Sequence, residues 1–213
     1  MSIYSVLSYA YDLLDKWWFA DKGQNPRDVI NDIIPNEQCR VLDMCCGTFS
    51  NGLPIGKKNP NAQVVGLDRS EAMLREAKKK IKEANLGNAI LVERDATNTG
   101  LPEKSFDYII IGLVLHECRE AFTRQILREA KRLLKDDGKL IVLEWDKQRR
   151  FSRKLKFAPL WLAEVLGNPK GFLEIYGGDK KQFFGRYGFE MKKKIDCNYT
   201  AVMVMDKDRL LDF

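Results

Sequence analysis

Short apolar runs bounded by polar residues recur along this chain, and stretches with an apolar position every three to four residues lie between them. The runs at 39–44, 63–67, 89–93, 106–112, 139–145, 189–195 and 199–205 predict seven strands. Ser70 to Ala84 reads as a helix with Ala72, Leu74, Ala77 and Ile81 inward. Phe122, Ile126, Ala130, Leu133 and Leu134 form the stripe of another, which Asp136-Asp137-Gly138 ends. Asn25-Pro26-Arg27-Asp28 supplies an N-cap, a proline at the first helical position and an acid in the first turn, and the helix it starts must end before Pro35. Residues 3–20 predict a further helix carrying Tyr4, Tyr9, Tyr11, Trp17, Trp18 and Phe19. Helix and strand alternate, the pattern of a mostly parallel α/β sheet wound on both faces. Only Asp196-Cys197-Asn198 separates the last two strands, too little for a crossover, so they form an antiparallel hairpin.

One domain is expected over residues 1–213: a helical cap (1–35), a core (36–146), an insertion after the fifth strand (147–178) and a closing helix with hairpin (179–213). The insertion is basic and aromatic, with Arg149, Arg150, Arg153, Lys154 and Lys156 among Phe151, Phe157, Trp161, Phe172 and Tyr176. A chain that is 45% hydrophobic and 31% charged has the balance of a soluble globular protein. No uncharged apolar run approaches the roughly 18 residues that span a bilayer, and Asp12, Asp15 and Lys16 argue against a secretory signal. A cytoplasmic location is the expectation. Five cysteines without paired spacing read as reduced thiols, and with no C-x-x-C or H-x-x-x-H pattern no metal is expected. The net charge of +6, with lysine runs at 78–80 and 192–194, describes solvated element ends or attraction to an anionic surface.

The candidate chemistry lies at strand ends. Asp43, Asp68, Asp95, His116 and Glu144 fall at or just beyond the carboxyl ends of the first five strands and so share one rim, where open α/β sheets bind their ligands. Two adjacent strands that each release a carboxylate beside a tight turn make a nucleoside site. Plainer readings stand beside this one: Asp43 capping the backbone that follows it, Asp68 as a helix-start acid, Asp95 opening a turn.

Four segments carry a family resemblance. Val41 to Thr48, Val64 to Leu74, Arg94-Asp95-Ala96 with Leu101-Pro102, and Ser105 to Tyr108 with Leu113 to His116 resemble, in order, the signatures of Rossmann-like S-adenosylmethionine-dependent methyltransferases. Gly138 to Trp145 is similar to the subgroup of ubiquinone and menaquinone C-methyltransferases. The resemblance implies S-adenosylmethionine as cofactor, with Asp43 near its amino group and Cys45 and Gly47 on the turn beside its methionine part. It puts Asp68 at the ribose hydroxyls, with Arg69 following, Asp95 and Ala96 at the adenine, and Leu113 on the cofactor wall. One departure is plain: Cys45 and Phe49 occupy the first and last glycine positions of the family's turn, leaving Gly47 alone. Either Asn51-Gly52 supplies the flexible turn, or the Phe49 ring lies against the cofactor or substrate pocket, or binding is lost.

Methyl transfer from a sulfonium is an in-line displacement driven largely by alignment and desolvation. A base matters only where the acceptor must shed a proton, and His116, the single histidine, is the candidate for that or for orienting a loop. Tyr4, Tyr9, Glu117, Glu144 and Trp161 are the expected substrate-side residues, facing a small hydrophobic or aromatic acceptor, while the basic insertion suits an anionic membrane surface. A non-catalytic cofactor-binding protein and an RNA-directed methyltransferase are the alternatives; no nucleic-acid module is present to favour the second. A nicotinamide enzyme is disfavoured by the missing G-x-G-x-x-G.

Overall fold

The computed structural model describes residues 25–148 and 151–208. Its elements are α1 (Pro26–Ile33), β1 (Arg40–Met44), α2 (Gly52–Lys58), β2 (Gln63–Asp68), α3 (Glu71–Glu83), β3 (Ala89–Glu93), β4 (Phe106–Gly112), a 3₁₀ turn (Leu115–Glu117) and α4 (Glu120–Leu133). There follow β5 (Leu134–Trp145), α5 (Phe151–Gly167), α6 (Pro169–Gly177), α7 (Lys180–Gly185), β6 (Phe189–Asp196) and β7 (Thr200–Lys207). The predicted helix over 3–20, with Tyr4 and Tyr9, lies outside the described residues.

The seven strands form one sheet in the order β3-β2-β1-β4-β5-β7-β6. The first five pair in parallel, and β7 runs antiparallel to both β5 and β6. Strand order reverses between β1 and β4, which opens a crevice at their carboxyl ends. Alternating side chains feed two cores. Leu42, Met44, Leu67 and Ile111 meet Ile126, Leu127 and Ala130 of α4 on one face. Val41, Val64, Ile110 and Leu143 meet Ile30, Ile55, Leu74 and Ala77 of α1, α2 and α3 on the other.

Local signals behave as their chemistry requires. Asn25 accepts from the Arg27 N–H at 2.9 Å with Pro26 at the helix start, and Ser70 accepts from the Met73 N–H at 3.4 Å to open α3. Two expectations need correction. The turn read at Asp136-Asp137-Gly138 is absorbed into β5, which begins at Leu134 paired with Phe106 and resumes regular pairing at Lys139 opposite Tyr108. The last carbonyls of α4 explain it: Arg132 and Leu133 accept from the Lys104 and Ser105 N–H groups, so the helix end is capped by the approach to β4 and the chain enters the strand at once. Phe122, assigned to the buried stripe of α4, is 47% exposed and faces the crevice.

The insertion builds its own small core at the end of β5. Phe157 stacks on Tyr176 and on Tyr199, Phe172 stacks on Tyr176, and Trp145 closes the cluster. Trp161 packs partly buried against it and does not line the crevice. Among the described residues no helix is long and apolar enough to cross a membrane.

Candidate functional site

The turn after β1 carries the family's three glycine positions as Cys45, Gly47 and Phe49, and all three adopt left-handed backbone, with φ of 60°, 53° and 64°. Such a conformation costs a side-chain-bearing residue roughly 1–2 kcal/mol. Phe49 offsets this by burial. Its ring is fully buried, and Gly52 and Gly66 make room for it, since a Cβ on either would stand 2.1 Å or 2.7 Å from the ring; burying a phenylalanine contributes about 1.5–3 kcal/mol. The alternative in which the ring lies against the pocket is therefore corrected. Phe49 points into the α1–α3 core, and the crevice in front of Gly47, where a Cβ would meet nothing within 4 Å, stays open.

That crevice is a cavity of about 520 Å³ at the ends of β1, β2, β3 and β4, the size of a small-molecule site. Asp68 stands in its wall and organises it: Oδ2 accepts from the Gly47 N–H and Oδ1 from the Ser70 N–H, both at 2.9 Å. Each oxygen keeps a lone pair for a further donor. Asp95 is exposed on the same wall, and the N–H and hydroxyl of Thr97, at 2.8 Å and 2.7 Å, hold its carboxyl below the usual range. It both opens a turn and faces the cavity. Cys45, Gly47, Arg69, Ala96, Leu113 and Glu117 also line it. Leu113 is positioned by a left-handed backbone (φ 54°) and by its N–H donating to the Leu143 carbonyl at 2.8 Å.

Asp43, His116, Glu144 and Trp161 do not line the cavity. Asp43 is fully buried beneath α2, accepting from the Gly52 N–H at 2.9 Å and from Asn51 Nδ2 at 3.5 Å. Burial raises its pKa to about 7 against these donors and the more distant Arg27 charge. Since an unfolded aspartate titrates near 3.9, only the fold holds this proton between about pH 4 and 7. Its stabilising effect is complete at low pH and is lost as the pH rises through about 7, by up to about 4 kcal/mol. Asp43→Asn is expected to flatten that fall, and urea unfolding of both proteins from pH 4 to 8 measures it; parallel curves would sink the assignment.

His116 is buried with Nδ1 2.7 Å from Glu144 Oε2. Burial alone would lower its pKa, but the charge of Glu144, with Glu164 beside it, carries it up to about 10. The ring does not line the cavity, which corrects its expected place facing an acceptor. Glu144 Oε1 accepts from the N–H groups of Val114, Leu115 and His116, and so fixes the 3₁₀ turn that carries Val114 and Glu117 onto the cavity wall. All five cysteines are free, and burial pushes the thiols of Cys45, Cys46 and Cys118 up.

Sequence reasoning missed Asn51, Thr48, Met73 and Phe122 as wall residues. Asn51 Oδ1 is buried without a hydrogen-bond partner, and Asn51 also fills the space that Gly112 leaves open. Its signal was its place beside Gly52 in the glycine-poor turn.

The cavity offers what the cofactor implied by the family resemblance needs: an open backbone approach at Gly47 and a carboxylate with spare lone pairs at Asp68. Residues 41–138 match the family model described as a methyltransferase domain. Demethylmenaquinone methyltransferase of Listeria welshimeri is 39% identical over 105 residues, covering 49% of this chain and 44% of that protein. That of Geobacillus kaustophilus is 35% identical over 118 residues, covering 55% and 50%. The chain spans about half the length of the curated relatives it matches. Among solved structures, a putative S-adenosyl-L-methionine-dependent methyltransferase of Methanococcus maripaludis aligns with a TM-score of 0.71 at 18% identity, over 97% of this chain and 95% of that one. A putative O-methyltransferase of Nostoc punctiforme aligns with a TM-score of 0.72 at 21% identity, over 86% and 56%. Residues 41–138 are thus similar to methyltransferase domains in sequence, and the fold is that of these solved structures.

Proposed function

We propose that this protein transfers a methyl group from S-adenosylmethionine to a small hydrophobic or aromatic acceptor, a quinol-type ring being the class its demethylmenaquinone-named relatives favour. The supporting observation is the cavity at the β1/β4 switch point, walled by Asp68 and Asp95 on one side and by Val114, Phe122 and Ile126 on the other. When bound, the cofactor supplies a methyl on a sulfonium that leaves as a neutral thioether.

The chain's own residues supply position. Asp68, preorganised by two N–H donors, accepts ribose hydroxyls in charge-assisted bonds. Asp95 and Ala96 flank the adenine end. Leu113, Val114 and Phe122 exclude water from the methyl's path. His116, paired with Glu144 behind the wall and outside the cavity lining, is not placed to take a proton from the acceptor. Calorimetry with S-adenosylmethionine, followed by methyl incorporation into demethylated quinols and, separately, RNA, tests the reading. Cofactor binding without methylation of any acceptor would favour a binding protein instead.

We also propose peripheral contact with anionic membrane through α5. Phe151, Leu155, Leu162 and Leu166 are all exposed, and their spacing of four, seven and four residues sets them in one stripe with exposed Lys154 and Lys156 on its flanks. Co-sedimentation is expected with vesicles rich in phosphatidylserine and not with neutral ones. Leu155→Glu combined with Leu162→Glu should cut the bound fraction at least tenfold. Equal binding by the double variant would refute the surface.

A further inference from the structure

Behind the cavity wall, three ligand atoms from two distant segments converge. His116 Nε2 lies 3.3 Å from Glu164 Oε2 and 3.8 Å from Glu117 Oε1, and all three atoms stand within 4.8 Å of one another. Ligands at about 2.0–2.2 Å from one tetrahedral ion are roughly 3.4 Å apart, so the nitrogen already stands at that distance from Glu164 and would draw Glu117 in by a few tenths of an ångström. No local spacing motif announces this, because Glu164 is on α5 while His116 and Glu117 are in the 3₁₀ turn.

A second observation concerns the ring itself. The imidazole is 1% exposed, and its Nε2, 3.3 Å from Glu164 Oε2, makes no well-formed hydrogen bond. The opposite nitrogen is fully committed: Nδ1 pairs with Glu144 Oε2 at 2.7 Å, and Glu144 is itself held by three backbone N–H groups. A carboxylate that fixes one ring nitrogen and aims the other is the support that metal-ligating histidines use. Asn168 locks the two ligand-bearing segments together. Its N–H donates to the Glu164 carbonyl, and its Nδ2 donates to the carbonyls of His116 and Cys118. Gly171 lets this approach happen, since a Cβ there would lie 2.4 Å from Asn168 Nδ2 and 2.8 Å from the His116 carbonyl oxygen.

We propose that His116, Glu117 and Glu164 form a divalent-cation site behind the cavity wall, supported by Glu144. One imidazole nitrogen and two carboxylate oxygens suit Zn²⁺ best and Mn²⁺ next. Loading exchanges the Nε2 proton for the ion while Glu144 keeps the Nδ1 proton, and the two carboxylates balance the ion's charge.

The test uses the full chain, stripped with chelator and titrated by calorimetry with Zn²⁺ and separately with Mn²⁺, without S-adenosylmethionine, so that the result is independent of the methyl-transfer reading. One Zn²⁺ per chain is expected. Glu164→Gln should weaken it at least tenfold, and Glu144→Gln by roughly 10–100-fold. Glu117→Gln, at an exposed residue, keeps the test valid if a buried variant misfolds, and should also weaken binding at least tenfold. Co²⁺ in place of Zn²⁺ should give visible d–d bands without thiolate charge transfer, which separates this site from the cysteines nearby. Absence of saturable Zn²⁺ binding, unchanged affinity in the Glu117 and Glu164 variants, or a thiolate band would overturn the proposal.

Discussion

Asp68→Ala is expected to weaken S-adenosylmethionine binding at least tenfold, and by as much as about a thousandfold, in calorimetric titration. A carboxylate accepting two hydroxyls contributes about 1.5–3 kcal/mol per bond, and part of that survives through the rest of the cavity. The variant also releases the Gly47 and Ser70 N–H groups that the carboxylate holds at 2.9 Å, so the turn loses its anchor together with the ligand's. Asp68→Asn separates the two effects. Its one carbonyl oxygen still accepts from a single N–H, so the turn should be largely kept while the charge is lost, giving an intermediate affinity. Both variants should melt within a few degrees of the parent, because Asp68 is only partly buried and sits outside both cores. Unchanged affinity in the folded Asp68→Ala protein would remove the ribose assignment and, with it, the main physical support for a nucleoside in this crevice.

What could be read from the sequence, and what could not, follows from the range of each interaction. Strand ends were legible because an apolar run ends where the chain leaves the sheet, and Asp68 and Asp95 come to the cavity for that reason alone. The direction of a side chain at a strand end depends on what packs on each face. Asp43 follows Leu42 and precedes Met44, both in the α4-side core, so it faces the opposite layer and meets the start of α2. Phe49 looked like an obstacle because a missing glycine is visible in sequence. The compensating glycines are less so: Gly52 lies three residues on, and Gly66 lies on the neighbouring strand. The β5 boundary was misread because Asp136-Asp137-Gly138 has the composition of a turn, while the partner that draws Leu134 into the sheet is Phe106, from a strand nearly thirty residues earlier. The aromatic insertion was legible as apolar bulk, but its stacking on Tyr199 from the final hairpin makes much of it a core and leaves the other face of α5 exposed.

Glu144→Ala is expected to lower unfolding stability by about 3–5 kcal/mol, the cost of removing one partner from a buried ion pair. Glu144 is 0% and His116 1% exposed, so water cannot replace the lost carboxylate without opening the turn. Three backbone N–H groups, from Val114, Leu115 and His116, lose their acceptor in the same step. Glu144→Gln retains an oxygen for those donors and loses only the charge, so it should fall between the parent and the alanine variant. Glu144→Ala also removes the group that most raises the His116 pKa, leaving Glu164 as its neighbour. The histidine should then titrate at lower pH, visible in the ring-proton shifts of this single-histidine chain. Urea unfolding in the presence of chelator measures the stability term alone. If the alanine variant unfolds at the parent's urea midpoint and the ring shifts are unmoved, the buried pair is not what holds the 3₁₀ turn, and the placement of Val114 and Glu117 on the cavity wall needs another cause. If the predicted loss appears, the variant also tests the two halves of the proposed site: affinity for an acceptor-side ligand should drop while affinity for S-adenosylmethionine, for which Asp68 is the proposed anchor, changes less than threefold. That asymmetry is what a positioning residue behind one wall produces, and a uniformly loosened fold would weaken both ligands together.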